Sequence, residues 1–336
     1  MPRCSMRCLS DGVRVKLFVT GAAGFIGSNY VRWVLENTDD EITVFDKLTY
    51  AGNLASIEDV VDDRRCRFVQ ADICDTDAVA EHLPGHDAVV HFAAESHVDR
   101  SIEGPFTFVH TNVFGTAVLC EVARQAGVER FLHISTDETY GSIEDGSFTE
   151  TDRLTPRSPY SAAKAGSDLI ALSYYTTYGL PVLVTRCSNN YGPYQFPEKL
   201  IPLFTTNLLD GRKVPLMGDG GNVRDWIHVE DHNRAAHLVL HEGTVGEIYN
   251  IGAHNEVTNR DITERLLALT GRDESFIEWV PDRLGHDRRY SVTTDKIEAL
   301  GWKLERDFDN GLEHTVAWYR DHRAWWEPLK ARVERA

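Results

Sequence analysis

At 336 residues, 42% apolar and 26% charged, the chain is long enough to bury a large core and has the composition of an ordinary globular protein. Its formal charge of -17 excludes a non-specific grip on nucleic acid or anionic lipid, which needs concentrated Lys and Arg. A small anionic ligand stays possible, since helix N-termini and a few local cations can hold phosphates in an acidic protein.

Residues 1–13 read as a disordered leader: Arg3 and Arg7 are followed by no apolar run, so no secretory signal is expected. No stretch reaches the ~18 apolar residues a bilayer span needs, and a cytoplasmic location is the default expectation. The six cysteines, Cys4, Cys8, Cys66, Cys74, Cys120 and Cys187, are scattered and lack metal-ligand spacing, so they are expected to be reduced thiols.

Val15–Thr20 is a short apolar run that ends in Thr20-Gly21-Ala22-Ala23-Gly24-Phe25-Ile26-Gly27, and the apolar Phe25–Leu35 then has helical length. Glycines at this spacing, between a strand and a helix, permit a tight turn, close approach to a pyrophosphate and close helix–sheet packing. The helix would direct its N-terminal amides at the phosphates. Glu41–Asp46 is the second strand. Its terminal Asp46 can accept from ribose hydroxyls and would repel a 2′-phosphate, which favours NAD over NADP, with Lys47 weakening that exclusion slightly. Asp46 could instead simply terminate the strand. After the third strand, Arg67–Gln70, Asp72-Ile73 is placed to meet the adenine, or is a plain turn.

Further strands are expected at Ala88–Phe92, Arg130–Ser135 and Val182–Arg186, separated by helical stretches at Pro105–Ala126 and Pro159–Tyr178. This alternation implies an α/β, Rossmann-like, doubly wound parallel sheet. Residues 14–186 form the expected cofactor domain. Residues 187–223, richer in Pro, Gly, Asn and Tyr, and 252–336 form a smaller, interleaved α/β substrate-binding domain, with 224–251 returning to the first through a helix and the strand Glu247–Ile251.

Ser158 and Pro159 suit the N-cap and first position of the helix that carries Tyr160 and Lys164, four apart and so on one face. A lysine ammonium beside a phenol, with the charge of oxidised nicotinamide, would lower the phenol's pKa and make Tyr160 a base. Asp137-Glu138 lies at the carboxyl end of a strand, where open α/β sheets bind ligands. Adjacent carboxyls in a closed site repel each other, so one can keep its proton while the other stays ionised. His228 and His232, four apart on an expected helix, imitate a metal pair, but no third ligand is evident and no metal is expected.

These pieces resemble the extended short-chain dehydrogenase/reductases and, within them, the dTDP-glucose 4,6-dehydratases. The resemblance runs from about Val15 to Leu304 and rests on Thr20–Ser28, 46–53, 93–101, Thr136-Asp137-Glu138, Tyr160 with Lys164, 186–200, Arg224-Asp225-Trp226 and 285–290. It implies bound NAD, with Thr49, Gly52, Ala93, Ala94 and Ser96 joining the motif residues around it. It also implies dTDP-glucose as substrate and a homodimer formed through a four-helix contact. In the implied chemistry Tyr160 takes the 4-hydroxyl proton as C4 is oxidised, Thr136 orients the 4-oxygen, Glu138 takes the C5 proton, Asp137 protonates the departing 6-hydroxyl, and hydride returns to C6.

By the same resemblance Ser96, Asn190, Glu198, Lys199 and Leu200, with Pro215, Met217, Arg224, Asn259, Arg283 and His286, line the nucleotide-sugar site; His97 is left open. Met217 replaces a usual aromatic that stacks on thymine, Thr139 a valine and Leu284 a proline. A 4-epimerase or uronate decarboxylase shares the Tyr–Lys oxidation but needs no paired acid and base. A non-catalytic dinucleotide-binding scaffold would have no use for either set.

Overall fold

The structure, a computed structural model, describes residues 14–283 and 285–333, so the expected leader, with Cys4 and Cys8, and the substituted Leu284 lie outside the described residues. The chain opens with β1 (Lys16–Thr20), α1 (Phe25–Asn37), β2 (Glu41–Asp46), β3 (Cys66–Gln70), α2 (Thr76–His82) and β4 (Ala88–His91). Next come α3 (Val98–Glu103), α4 (Pro105–Phe108), a π-helical stretch Val109–Gly115, α5 (Thr116–Ala126) and β5 (Arg130–Thr136). Then α6 (Pro159–Tyr178) leads to β6 (Val182–Cys187).

Seven parallel strands lie in the order β10-β6-β5-β4-β1-β2-β3, where β10 is Ile248–Ile251. The order reverses between β1 and β4, which opens a crevice at their carboxyl ends. Helices cover both faces, so β5 and β6 are buried at every position. Along β1 the pleat sends Leu17 and Val19 to the side where Tyr30, Val31 and Val239 pack, and Phe18 to the opposite side with Val79, Leu119 and Ala171. Burial of this apolar surface on two faces is the main stabilising contribution to the sheet.

The rest of the chain adds β7 (Asn189–Tyr191), α7 (Leu200–Leu209), β8 (Val214–Met217), β9 (Val223–His228) and α8 (Val229–Glu242), then β11 (Glu256–Thr258), α9 (Asn259–Thr270) and β12 (Ile277–Val280). It closes with α10 (Asp295–Glu298), α11 (Phe308–Asp321) and α12 (Arg323–Val333). Two small sheets, β11-β9-β7 and β12-β8, belong to this part. Phe204, Trp226, Leu266 and Leu312 form a core of their own there.

Two expectations change. Pro105–Ala126 is one continuous 22-residue helical stretch whose length and mean hydropathy of 1.2 do reach those of a membrane span. Half of it is buried inside the molecule, where Leu119 and Val122 pack against the sheet, as in a core helix. His228 is not on a helix beside His232. It ends β9 and caps α8, its ring accepting from the Glu230 amide, while His232 is fully buried against Asn233.

Candidate active site

The crevice between β1 and β4 holds a cavity of about 300 Å³. Gly21 adopts φ +69°, and a Cβ there would stand 2.5 Å from the Ala93 amide nitrogen, so the turn packs directly on the chain leaving β4. Gly24 caps α1 without a side chain, and no acidic residue lies in the first turn, so the positive helix end is left to an anionic ligand. Asp46, at the end of β2, accepts from the amides of Ala23 (2.9 Å) and Leu48 (2.8 Å), which fix its carboxylate against the glycine turn. Lys47 is tied to Asp72 at 2.6 Å, so its charge is already spent and it weakens the exclusion of a 2′-phosphate less than expected. Burial pushes Asp72 up, but the Lys47 ammonium and the Cys74 amide hold it below the usual carboxylate range.

The cavity wall includes every residue expected at the cofactor: Gly21, Gly24, Phe25, Ile26, Gly27, Asp46, Lys47, Thr49, Gly52, Asp72, Ile73, Ala93, Ala94 and Ser96. Thr136, Asp137, Glu138, Tyr160 and Lys164 line the same space, with Asn190, Glu198 and Lys199. Strand β5 delivers Thr136 at its end, and a single 3-10 turn, Asp137–Thr139, carries the two acids inward, capped by the Thr136 hydroxyl. Helix α6 begins with a Ser158–Ser161 capping box and Pro159 at its first position, which fixes Tyr160 in the first turn.

The two carboxyls sit in different fields. Burial and then the charges of Glu138 and Asp225 push Asp137 well above the usual range, and its Oδ2 is buried with no hydrogen-bond partner among the described residues. Burial also raises Glu138, but Arg283, Arg224 and Lys199 oppose that rise. The arrangement therefore makes Asp137 the first of the pair to hold a proton and leaves Glu138 the more readily ionised.

Tyr160 departs from the expectation that Lys164 lowers its pKa. Burial and the acids Glu138 and Asp137 push the phenol well above its ordinary value. The ammonium of Lys164 is turned to the Ile134 carbonyl at 2.7 Å, and burial lowers its own pKa. In the chain alone the phenol is held protonated.

At the sugar end, Lys199 Nζ donates to the Ser96 carbonyl at 2.7 Å, and Glu198 accepts from Tyr50 Oη at 3.0 Å and lies 3.4 Å from Arg100 Nε. Arg224, Arg283 and His286 lie beyond the cavity wall but act together: Arg224 and Arg283 are felt at Glu138, and both depress His286 after burial. The side-chain Oδ1 atoms of Asn190 and Asn259 and the Nε of Arg283 are buried without hydrogen-bond partners among the described residues. Leu200 opens α7, while Pro215 and Met217 lie on β8, paired with Glu278 and Val280 of β12. His97 caps α3, accepting from the Arg100 amide at 3.3 Å, and burial takes it to about 3.

Sequence reasoning missed Thr111, Glu95, Cys187 and Gln195, all on the cavity wall. Thr111 is on the π-helical stretch, a local distortion often found at functional sites and without a sequence signature here. Asn112 on the same stretch exchanges hydrogen bonds with the Glu95 backbone at 2.8 and 3.0 Å. Burial raises the Cys187 thiol to about 12, so it stays protonated.

The family model described as GDP-mannose 4,6 dehydratase matches residues 18–315. The chain belongs to that family. Among the 4,6-dehydratases it is 53% identical over 323 residues to the dTDP-glucose 4,6-dehydratase of Streptomyces niveus, covering 94% of this chain and 96% of that protein. The crystal structure of a dTDP-glucose 4,6-dehydratase from Streptomyces venezuelae, with NAD bound, has a TM-score of 0.92 at 56% identity and covers 94% of this chain and 99% of that one. The UDP-glucose 4-epimerase of Thermus thermophilus, in complex with NAD, shares the fold at a TM-score of 0.84 but only 31% identity, over 91% of this chain and 99% of that one.

Proposed function

We propose that the chain uses NAD to dehydrate dTDP-glucose to dTDP-4-keto-6-deoxyglucose. The observation that carries this reading is the adjacent pair Asp137 and Glu138 beside Tyr160, Asp137 buried and pushed well above its usual range, Glu138 half-buried with its rise opposed by Arg283, Arg224 and Lys199. The glycine turn, the uncapped positive end of α1 and the amide-fixed Asp46 fit the pyrophosphate and ribose of NAD. NAD supplies the hydride acceptor for C4 and the donor for C6.

Tyr160 takes the proton of the 4-hydroxyl, with Thr136 holding the same oxygen, once the cofactor's positive charge offsets the acids nearby. A 4-ketone acidifies the C5 hydrogen, which the ionised Glu138 removes. Asp137 gives its proton to the 6-oxygen, which leaves as water, and Glu138 returns a proton to C5 as C6 is reduced. Lys199, Arg224 and Arg283 supply the cations for the diphosphate. Ser96, Asn190, Glu198, Leu200, Pro215, Met217, Asn259 and His286 complete the nucleotide-sugar site in this reading. Residues 14–186, with 224–251, serve the cofactor, except that β9 pairs in the small sheet and its Arg224 joins 187–223 and 252–336 in serving the sugar nucleotide.

A 4-epimerase is the runner-up, given the shared fold and oxidation chemistry, but it leaves the acid pair without a task. Two further expectations belong to the proposal. Phe106, Val109, Phe114 and Leu169 are exposed apolar side chains on the two long helical stretches either side of β5, which supports pairing with a second copy through a four-helix contact. Cys66, Cys74, Cys120 and Cys187 are free thiols, which supports a reducing, cytoplasmic setting.

Incubation with dTDP-glucose in deuterated water tests the reading. The expected product is the 4-keto-6-deoxy sugar with deuterium at C5 and no net NADH. An unchanged sugar, or one inverted at C4, refutes it.

A further inference from the structure

A second cavity, of about 740 Å³, lies at the opposite end of the sheet, where β2 begins. Asp40, just before β2, and His237 and His241, one turn apart on α8, present donor atoms that all lie within 4.8 Å of one another. The two imidazole rings are 4.3 Å apart between centroids. We propose that Asp40, His237 and His241 form a binding site for a zinc-like divalent transition cation that clamps α8 to the entrance of β2.

The donor set fits that class of ion. Two imidazoles and one carboxylate suit Zn²⁺, Co²⁺ or Ni²⁺, whereas Ca²⁺ and Mg²⁺ prefer oxygen ligands alone. Ligands on a tetrahedral zinc at about 2.0–2.2 Å stand about 3.3 Å from one another, so the donors need only side-chain rotation to close on an ion. Outer contacts are already in place. Tyr30 Oη and His237 Nδ1 are hydrogen-bonded at 3.1 Å, which leaves Nε2 as the metal donor, and Asp40 Oδ1 accepts from the Val15 amide at 2.9 Å.

Of the three cations on the cavity wall, Arg14 is paired with Glu41 and Arg234 with Asp231 and Glu305; Lys303 is the third. The cavity leaves room for water to complete the coordination. The ion would sit at the amino end of the parallel strands, far from Asp137 and Tyr160 at the carboxyl end, so its effect is on stability and not on the chemistry.

The full chain, stripped with a chelator, is titrated calorimetrically with Zn²⁺, and with Co²⁺ while its visible absorption is followed. One equivalent of Zn²⁺ should bind at low micromolar concentration or tighter, raise the melting temperature and give a Co²⁺ spectrum of low-coordinate N/O ligation. Tyr30→Phe, which keeps the core packing, should weaken binding about tenfold. Asp40→Asn and the pair His237→Asn/His241→Asn should abolish it, with turnover unchanged. Absence of saturable binding overturns the proposal. So does binding that survives the histidine double variant, since the ion is then held by thiols or other groups elsewhere.

Discussion

Asp137→Asn separates the acid from the base. The native side chain is fully buried, its Oδ2 has no hydrogen-bond partner among the described residues, and its pKa stands well above the ordinary carboxylate value. Asparagine keeps the shape and neutrality of the protonated acid but has no proton to give. Loss of one positioned acid should lower the dehydration rate about 10²–10⁴-fold, or ~3–5.5 kcal/mol in the barrier. Oxidation at C4 does not use Asp137, so NADH should accumulate with dTDP-glucose, and Glu138 should still exchange the C5 hydrogen with solvent. Stability gives a second readout with a definite sign. An acid whose folded pKa is raised costs stability above its unfolded value near ~3.9, increasingly so as pH rises towards the folded value. The variant should therefore be more stable than the native chain at neutral pH. The gain should grow by about 1.4 kcal/mol per pH unit above pH ~4 and vanish below it, as measured by urea unfolding across pH. Dehydration at a near-native rate, or a stability difference flat with pH, would refute the assignment of Asp137 as a protonated acid.

Glu138→Gln should leave NADH formation intact while water loss and deuterium entry at C5 both collapse; continued deuterium uptake would point to another base. Gly21→Ala forces a side chain into left-handed backbone and against the Ala93 nitrogen at 2.5 Å, and should cost about 2–5 kcal/mol in thermal unfolding together with most of the affinity for NAD. His133 is buried and depressed to about 4 by its desolvation and by Lys164, so the unfolded chain takes up its proton first as pH falls. Its contribution is fully present above pH ~6.5 and is lost progressively towards pH 4, on the order of 3 kcal/mol; His133→Gln should flatten that part of the stability–pH curve.

The sheet was legible because its strands are short, buried on both faces and punctuated by glycine turns; β2 matches its expected bounds, and the other strands expected in that sheet differ by a residue at one end. Helix α6 could be read from its own first turn, Ser158-Pro159. The small sheets were not legible. Strands such as β7 and β11 are three residues long, and they exist through pairing with β9, not through local propensity. Of the site, Asp137 and Glu138 could be placed by the rule that ligands gather at strand carboxyl ends. The direction of the Tyr160 shift could not, because burial and the neighbouring acids set it, while Lys164 turns its ammonium to Ile134 on another element. The histidines show the same limit. His228/His232 and His237/His241 have identical spacing, and only the fold shows that the second pair shares a helical face and meets Asp40, far away in sequence.

The π-helical stretch Val109–Gly115 touches two environments at once. Thr111 faces the cavity and Asn112 grips the backbone of Glu95 on its wall, while Val109 and Phe114 point outward from the same turn. Whatever settles on that outer surface therefore bears on the same turn that lines the cavity, and the chamber behind it inherits the fit. Substitutions chosen to alter self-association should be assayed for turnover as well, because at this turn the molecule has no means of keeping the two properties separate.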